Sequence, residues 1–133
     1  MKIICNALAG LVLLSLTFGA NQLSAATPAE LISGSPQVVP IKDTVTMLDL
    51  GAKSCIPCKM MAPVIESLST EYEGRAAIVF IDVWKNPDEA KKFALRSIPT
   101  QIFYDKNGKE ILRHEGFFSK DEIVKVLDKL GVR

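Results

Sequence analysis

The chain has 133 residues, 16 Lys+Arg against 15 Asp+Glu, 48% hydrophobic residues and three cysteines. That length fits one domain of ordinary size, and the apolar fraction argues against disorder. A near-neutral chain lacks the basic stripe of an electrostatic nucleic-acid binder, and three cysteines are too few to staple a core-poor mini-protein.

Met1-Lys2 is a minimal positive start, and Ala7 to Ala20 carries no charge. Small residues follow at Ser24-Ala25-Ala26. This is the pattern of a secretory signal peptide over residues 1–25, with cleavage after Ala25 or Ala26. An alternative is that residues 3–20 stay as a membrane anchor, although the run is short for a span. Cys5 precedes the apolar run, whereas a lipid-attachment cysteine follows it. Cleavage of 25 residues leaves 108, residues 26–133, which form a single domain with 15 Lys+Arg against 15 Asp+Glu. The remaining cysteines are Cys55 and Cys58, placed by export in a compartment where disulfides persist.

Along the mature chain, Thr27 to Ser33 reads as a short helix with Thr27 as N-cap and Pro28 at its first position. Gly34-Ser35-Pro36 ends it, and Gln37 to Ile41 reads as a strand. Val45 to Leu50, apolar except for Thr46 and Asp49, fits a strand buried on both faces. From Cys58 to about Tyr72, the residues Met61, Val64, Ile65 and Leu68 recur at helical spacing, with Pro63 inside as a kink. Ala76 to Val83 is a second buried strand. Asn86-Pro87-Asp88-Glu89 starts a helix that runs to about Leu95, with Asn86 as the cap. Gln101 to Tyr104 and Glu110 to His114 are strands joined by Asp105-Lys106-Asn107-Gly108, which is hairpin chemistry. Ser119 caps a last helix, with Glu122 completing a capping box and Ile123, Val126, Leu127 and Leu130 on one face; Gly131 ends it. Helices alternating with buried strands imply an α/β domain whose sheet is covered on both faces, and the closing hairpin makes the sheet mixed.

Cys55-Ile56-Pro57-Cys58 falls where a strand, a short loop and a helix meet. Residues three apart share a helix face, so two sulfurs at this spacing can bond. Cys55 at the helix N-terminus meets unpaired N–H groups and the positive end of the dipole, which stabilise a thiolate. Cys58, one turn in, is expected to be more buried. Three readings are open. A structural staple closing so short a loop stabilises little. A metal site lacks ligands, because one Cys pair supplies two and the single histidine, His114, has no partner nearby. A reversible dithiol/disulfide centre is the reading the surroundings favour.

Several separated anchors carry a family resemblance over about residues 37 to 131. Asp49 lies six residues before Cys55. Cys55-Ile56-Pro57-Cys58 leads into Lys59-Met60-Met61-Ala62-Pro63. Asn86-Pro87 begins the following helix, Ser97-Ile98-Pro99-Thr100 comes some 40 residues after the cysteines, and Asn107-Gly108 and Gly116 mark the final hairpin. Together they resemble the thioredoxin family. The resemblance implies a thioredoxin-like fold, with a central mixed sheet flanked by helices on both faces. It implies Cys55 as nucleophile, Cys58 as resolving cysteine of a redox-active disulfide, and Asp49 as a buried acid that takes the resolving thiol's proton. It also implies a cis Pro99 against the disulfide, a substrate surface of Ile56, Pro57, Ile98 and Pro99, strand addition at the Ile98 backbone, and room at Gly116 for the bound segment. Neither a cofactor nor a metal is required.

This chain departs from the family at several points. Ser54 and Gly51 stand where thioredoxins usually carry tryptophans, Ile56 replaces the usual glycine between the cysteines, and Phe80 takes the place of a lysine often found beside the buried acid. Trp84, the only tryptophan, is expected to serve packing. Lys53 and Lys59 flank the motif and are expected to be solvated. The resulting expectation is an exported, periplasmic or otherwise extracytoplasmic, monomeric protein-disulfide reductase. It would act on disulfide-containing client proteins, draw electrons from a membrane thiol donor, and bind no nucleic acid. The alternatives are a disulfide oxidase or isomerase using the same residues, and a dithiol metal-binding module.

Overall fold

The computed structural model describes residues 26–133. The signal peptide, the alternative anchor at residues 3–20 and Cys5 lie outside the described residues. The chain runs α1 (Pro28–Leu31), β1 (Thr46–Gly51), α2 (Ile56–Glu71), β2 (Ala77–Asp82), α3 (Pro87–Lys92), β3 (Thr100–Tyr104), β4 (Glu110–Glu115) and α4 (Lys120–Lys129). The four strands form one sheet in the order β2-β1-β3-β4. β1 and β2 are parallel, whereas β1–β3 and β3–β4 are antiparallel. The sheet is therefore mixed, as the closing hairpin required. Among the described residues, no helix is long and apolar enough to cross a membrane.

Strand periodicity splits the core in two. Met47, Ile78 and Phe103 point to the face covered by α2 and α4, where they meet Met61, Ile65, Leu68, Ile123 and Leu127. Leu48, Leu50, Val79, Ile81 and Ile102 point to the opposite face, where they meet Leu31 of α1 and Phe93 after α3. Burial on both faces explains why β1 and β2 read as near-continuous apolar runs rather than alternating ones.

The predicted strand Gln37–Ile41 does not form. Pro36 and Pro40 have no N–H to give to a ladder, and Val38 is exposed. The chain touches the sheet earlier instead, through an isolated parallel bridge between Gly34 and Ile81 at the outer edge of β2. Asn86 precedes α3 but does not cap it with its side chain. Its Nδ2 donates to the carbonyls of Gly34 (3.1 Å) and Asp82 (2.9 Å), tying the incoming segment to the end of β2. Both predicted capping boxes, Thr27 with Glu30 and Ser119 with Glu122, are present. α2 runs unbroken through Pro63, whose missing N–H leaves the Lys59 carbonyl without its helical donor.

Candidate active site

The site lies at the C-terminal end of β1. Cys55 has extended backbone (φ −80°, ψ 128°) and is the N-cap of α2; its Sγ accepts from the Cys58 N–H at 3.4 Å. Pro57 sits in the first helical turn, where no N–H is needed. Cys55 and Cys58 are disulfide-bonded, with Cα atoms 5.2 Å apart. Their burial is nearly equal (8% and 6% exposed), so the expected contrast between them is slight. Ile56, between them, is 76% exposed and forms the apolar crest of the site.

Ile98 packs on the cluster of Ala52, Cys55 and Cys58. The Ile98-Pro99 peptide is cis, and Pro99 is buried. Gly116 donates its N–H to the Pro99 carbonyl at 2.8 Å. It has φ +99°, and a Cβ there would meet no atom within 4 Å, so the backbone conformation requires glycine and the space above it is open. Among the described residues the Ile98 backbone makes no backbone hydrogen bond.

Asp49 is fully buried on the face covered by α2. Burial raises its carboxyl from 3.8 to about 7, and a hydrogen bond from Gln101 opposes that rise. Gln101 Nε2 donates to Asp49 Oδ1 at 2.7 Å, while Oδ2 has no partner among the described residues. Gly51, two residues on, faces the same way. A Cβ on it would lie 3.4 Å from Asp49 Oδ2, 3.4 Å from Cys58 Cβ and 3.3 Å from Phe80 Cε2. The acid, the inner cysteine and Phe80 thus crowd the one point where this chain carries no side chain. Phe80 pairs directly with Asp49 in the ladder, so the neighbouring strand offers the acid a ring and no charge. A carboxyl with a pKa near neutrality beside the inner cysteine can exchange a proton with it at physiological pH.

Two further residues were not singled out from the sequence. Gln101 reads there as the first residue of a short apolar strand, and only its register opposite Asp49 gives it a partner. Asp82 reads as the end of β2. It is 2% exposed, and its carboxylate accepts from the backbone N–H groups of Lys53 (3.2 Å), Trp84 (3.1 Å) and Lys85 (3.2 Å). It therefore fastens the loop before Cys55 to the loop after β2. An aspartate followed directly by a loop is the available sequence signal. Trp84 is 61% exposed, which overturns its expected packing role: the β2–α3 loop turns it outward, away from both cores. Lys53 and Lys59 are exposed, and a cavity of about 330 Å³ between them is floored by Cys58, Ala52 and Phe80.

A disulfide at a helix N-terminus, a buried near-neutral acid behind it and a cis-proline loop beside it, on a mixed four-stranded sheet, define a thiol–disulfide oxidoreductase. The comparisons agree. The family model described as Thioredoxin matches residues 36–129. The thioredoxin of Staphylococcus aureus (strain Mu50 / ATCC 700699) is 43% identical over 89 residues, which cover 67% of this chain and 85% of that protein. The structure is similar to chloroplastic thioredoxin z (TM-score 0.61, 31% identity, 67% of this chain and 80% of that one). It is also similar to thioredoxin NaTrxh from Nicotiana alata (TM-score 0.58, 37% identity, 65% and 73%). This chain belongs to the thioredoxin family.

Proposed function

We propose that the protein is an exported reductase of client-protein disulfides, resupplied with electrons by a membrane thiol donor. The observation that carries the direction is the stretch between the cysteines: Ile56 and Pro57 bring no polar side chain to Cys55, whose Sγ has, among the described residues, only the Cys58 N–H and the helix dipole to favour its thiolate. A thiolate stabilised much further would make the disulfide a strong oxidant. Export rests on the sequence of residues 1–25, and the membrane donor follows from it, since a reductant outside the cytoplasm must receive its electrons across the membrane.

In the reduced protein the Cys55 thiolate attacks one sulfur of the client disulfide, forming a mixed disulfide and releasing the other client sulfur as a thiolate. The Cys58 thiol gives its proton to the Asp49 carboxylate, and the Cys58 thiolate then attacks Cys55 Sγ. The second client sulfur leaves as a thiolate; Asp49 gives up the former Cys58 proton, and the two client thiolates take that proton and one from water, so the client gains two electrons and the protein ends as the Cys55–Cys58 disulfide. The donor dithiol returns two electrons and the Cys58 proton, and its second proton goes to water. The client segment lies along Ile98 and Pro99 in extended form, pairing with the Ile98 backbone, over Ile56, Pro57 and the open space at Gly116.

The Cys58→Ser variant tests this reading, because it cannot resolve the mixed disulfide. It should accumulate covalent adducts with exported proteins that are released by reductant. Equilibration of the unsubstituted protein with glutathione should give a potential well below that of protein disulfide isomerase. A potential as oxidising as that enzyme's would overturn the reductase reading in favour of an oxidase or isomerase. Stoichiometric metal lost on Cys55→Ser would overturn it in favour of a dithiol metal module.

A further inference from the structure

We infer that Gln101 is a positioning residue for the thiol–disulfide exchange, its side-chain amide occupying Asp49 Oδ1 and so directing the exchangeable proton to Oδ2, the oxygen that shares the space over Gly51 with Cys58 Cβ. The inference deepens the proposed function but rests only on exchange between Cys55 and Cys58, not on its direction.

Phe80 of β2, Asp49 of β1, Gln101 of β3 and His114 of β4 are successive ladder partners and form one row across the sheet. Side chains in such a row share a face, here the face covered by α2. Asp49 therefore has two lateral neighbours, a phenyl ring and an amide. The amide N–H donates to Oδ1 at 2.7 Å. A protonated carboxyl would be repelled by that N–H if its proton sat on Oδ1, so the proton belongs on Oδ2. Among the described residues Oδ2 has no partner, and it faces the point at Gly51 that Cys58 Cβ also borders. One oxygen is held and the other is left free on the side of the cysteine that must lose a proton.

The surroundings leave this task to Gln101. From β2 the acid's ladder neighbour is Phe80, and from α2 Cys58, the titratable partner itself, borders the same point at Gly51 as Asp49 Oδ2. Asp82 lies at the end of β2 with its carboxylate turned to loop N–H groups. Lys53, Lys59 and Glu66 ring the outer cavity beyond Cys58 and Phe80. His114 stands one strand further out, stacked on Phe118, with Nε2 3.1 Å from the Phe117 carbonyl. Burial and the Gln101 hydrogen bond alone displace the Asp49 carboxyl.

The test is the rate of the resolving step against pH. Reduced protein mixed with an aryl disulfide releases one aryl thiolate when Cys55 attacks and a second when Cys58 resolves; the second phase reports the step. In Gln101→Met, the inflection of that phase should move to higher pH by about 1 unit or more, the size expected for losing a hydrogen bond to a charged group. In an Asp49→Asn background the same substitution should leave the profile unchanged. A folded Gln101→Met protein with the unsubstituted profile would overturn the inference, as would a shift that persists without Asp49. If the variant does not fold, nuclear magnetic resonance on the unsubstituted protein decides. The Gln101 side-chain amide signal should follow the Asp49 carboxyl titration, and an unresponsive amide would also overturn the inference. The glutathione potential reads the reductase direction separately, so either conclusion can fail alone.

Discussion

A buried carboxyl is a liability unless it does something, and Asp49 shows the size of that liability. Its carboxyl is raised from 3.8 to about 7 chiefly by burial, so between these values the folded protein holds a proton that the unfolded chain has lost. Stability from this group is complete below about pH 4, falls as the pH rises through 7, and stays low above that. Replacement by Asn removes the buried charge while keeping an oxygen for the Gln101 amide. Asp49→Asn should therefore stabilise the oxidised protein by up to about 4 kcal/mol at pH 8, with the gain shrinking toward pH 4; urea unfolding at the two pH values measures it. The same variant should slow the resolving step, because Asn accepts no proton from Cys58.

The elements differ in how much of their boundary is local. α4 is set by its own residues. Ser119 Oγ accepts from the Glu122 N–H, Glu122 Oε2 accepts from the Ser119 N–H at 3.1 Å, and Ile123 and Leu127 carry the buried stripe. Ser119→Ala should cost about 1 kcal/mol with no change in exchange rate, read from urea midpoints alongside activity. The segment Gln37–Ile41 shows the opposite case. Its apolar residues have strand composition, but its place beside β2 is taken by Gly34, and Pro36 just before it and Pro40 within it supply no ladder donor. Composition could not decide between a strand and a bent segment whose Val39 and Ile41 pack on the second core. Asn86 is similar: the sequence marks a helix start correctly, while the side chain's partners, Gly34 and Asp82, come from elsewhere in the chain.

At the scale of the whole molecule, β1, β2 and β3 are the wall shared by two cores, and the redox site is built on the end of that wall. Phe103 is fully buried and meets Phe118 edge-to-face at 6.2 Å between ring centres. Phe103→Ala should destabilise by about 3–5 kcal/mol, a large share of the roughly 5–15 kcal/mol that holds a domain of this size folded. The thermal midpoint should fall accordingly, and exchange should be lost only as the fold melts, because Phe103 does not touch the cysteines' cluster.

What the sequence determined by itself was whatever depends on spacing along the chain. This covers the cysteine pair at a strand-to-helix junction, the capping boxes of α1 and α4, the apolar runs of β1 and β2, and the proline before Thr100. These are short-range matters of backbone geometry and of which side chains share a face. Tertiary structure decided the rest. It alone set Gln101 opposite Asp49, Phe80 on the acid's other side, Asp82 beneath the loop before Cys55, and Trp84 outward. Each of these depends on strand register or on contacts between distant segments, which the packing of both cores fixes and no local pattern records.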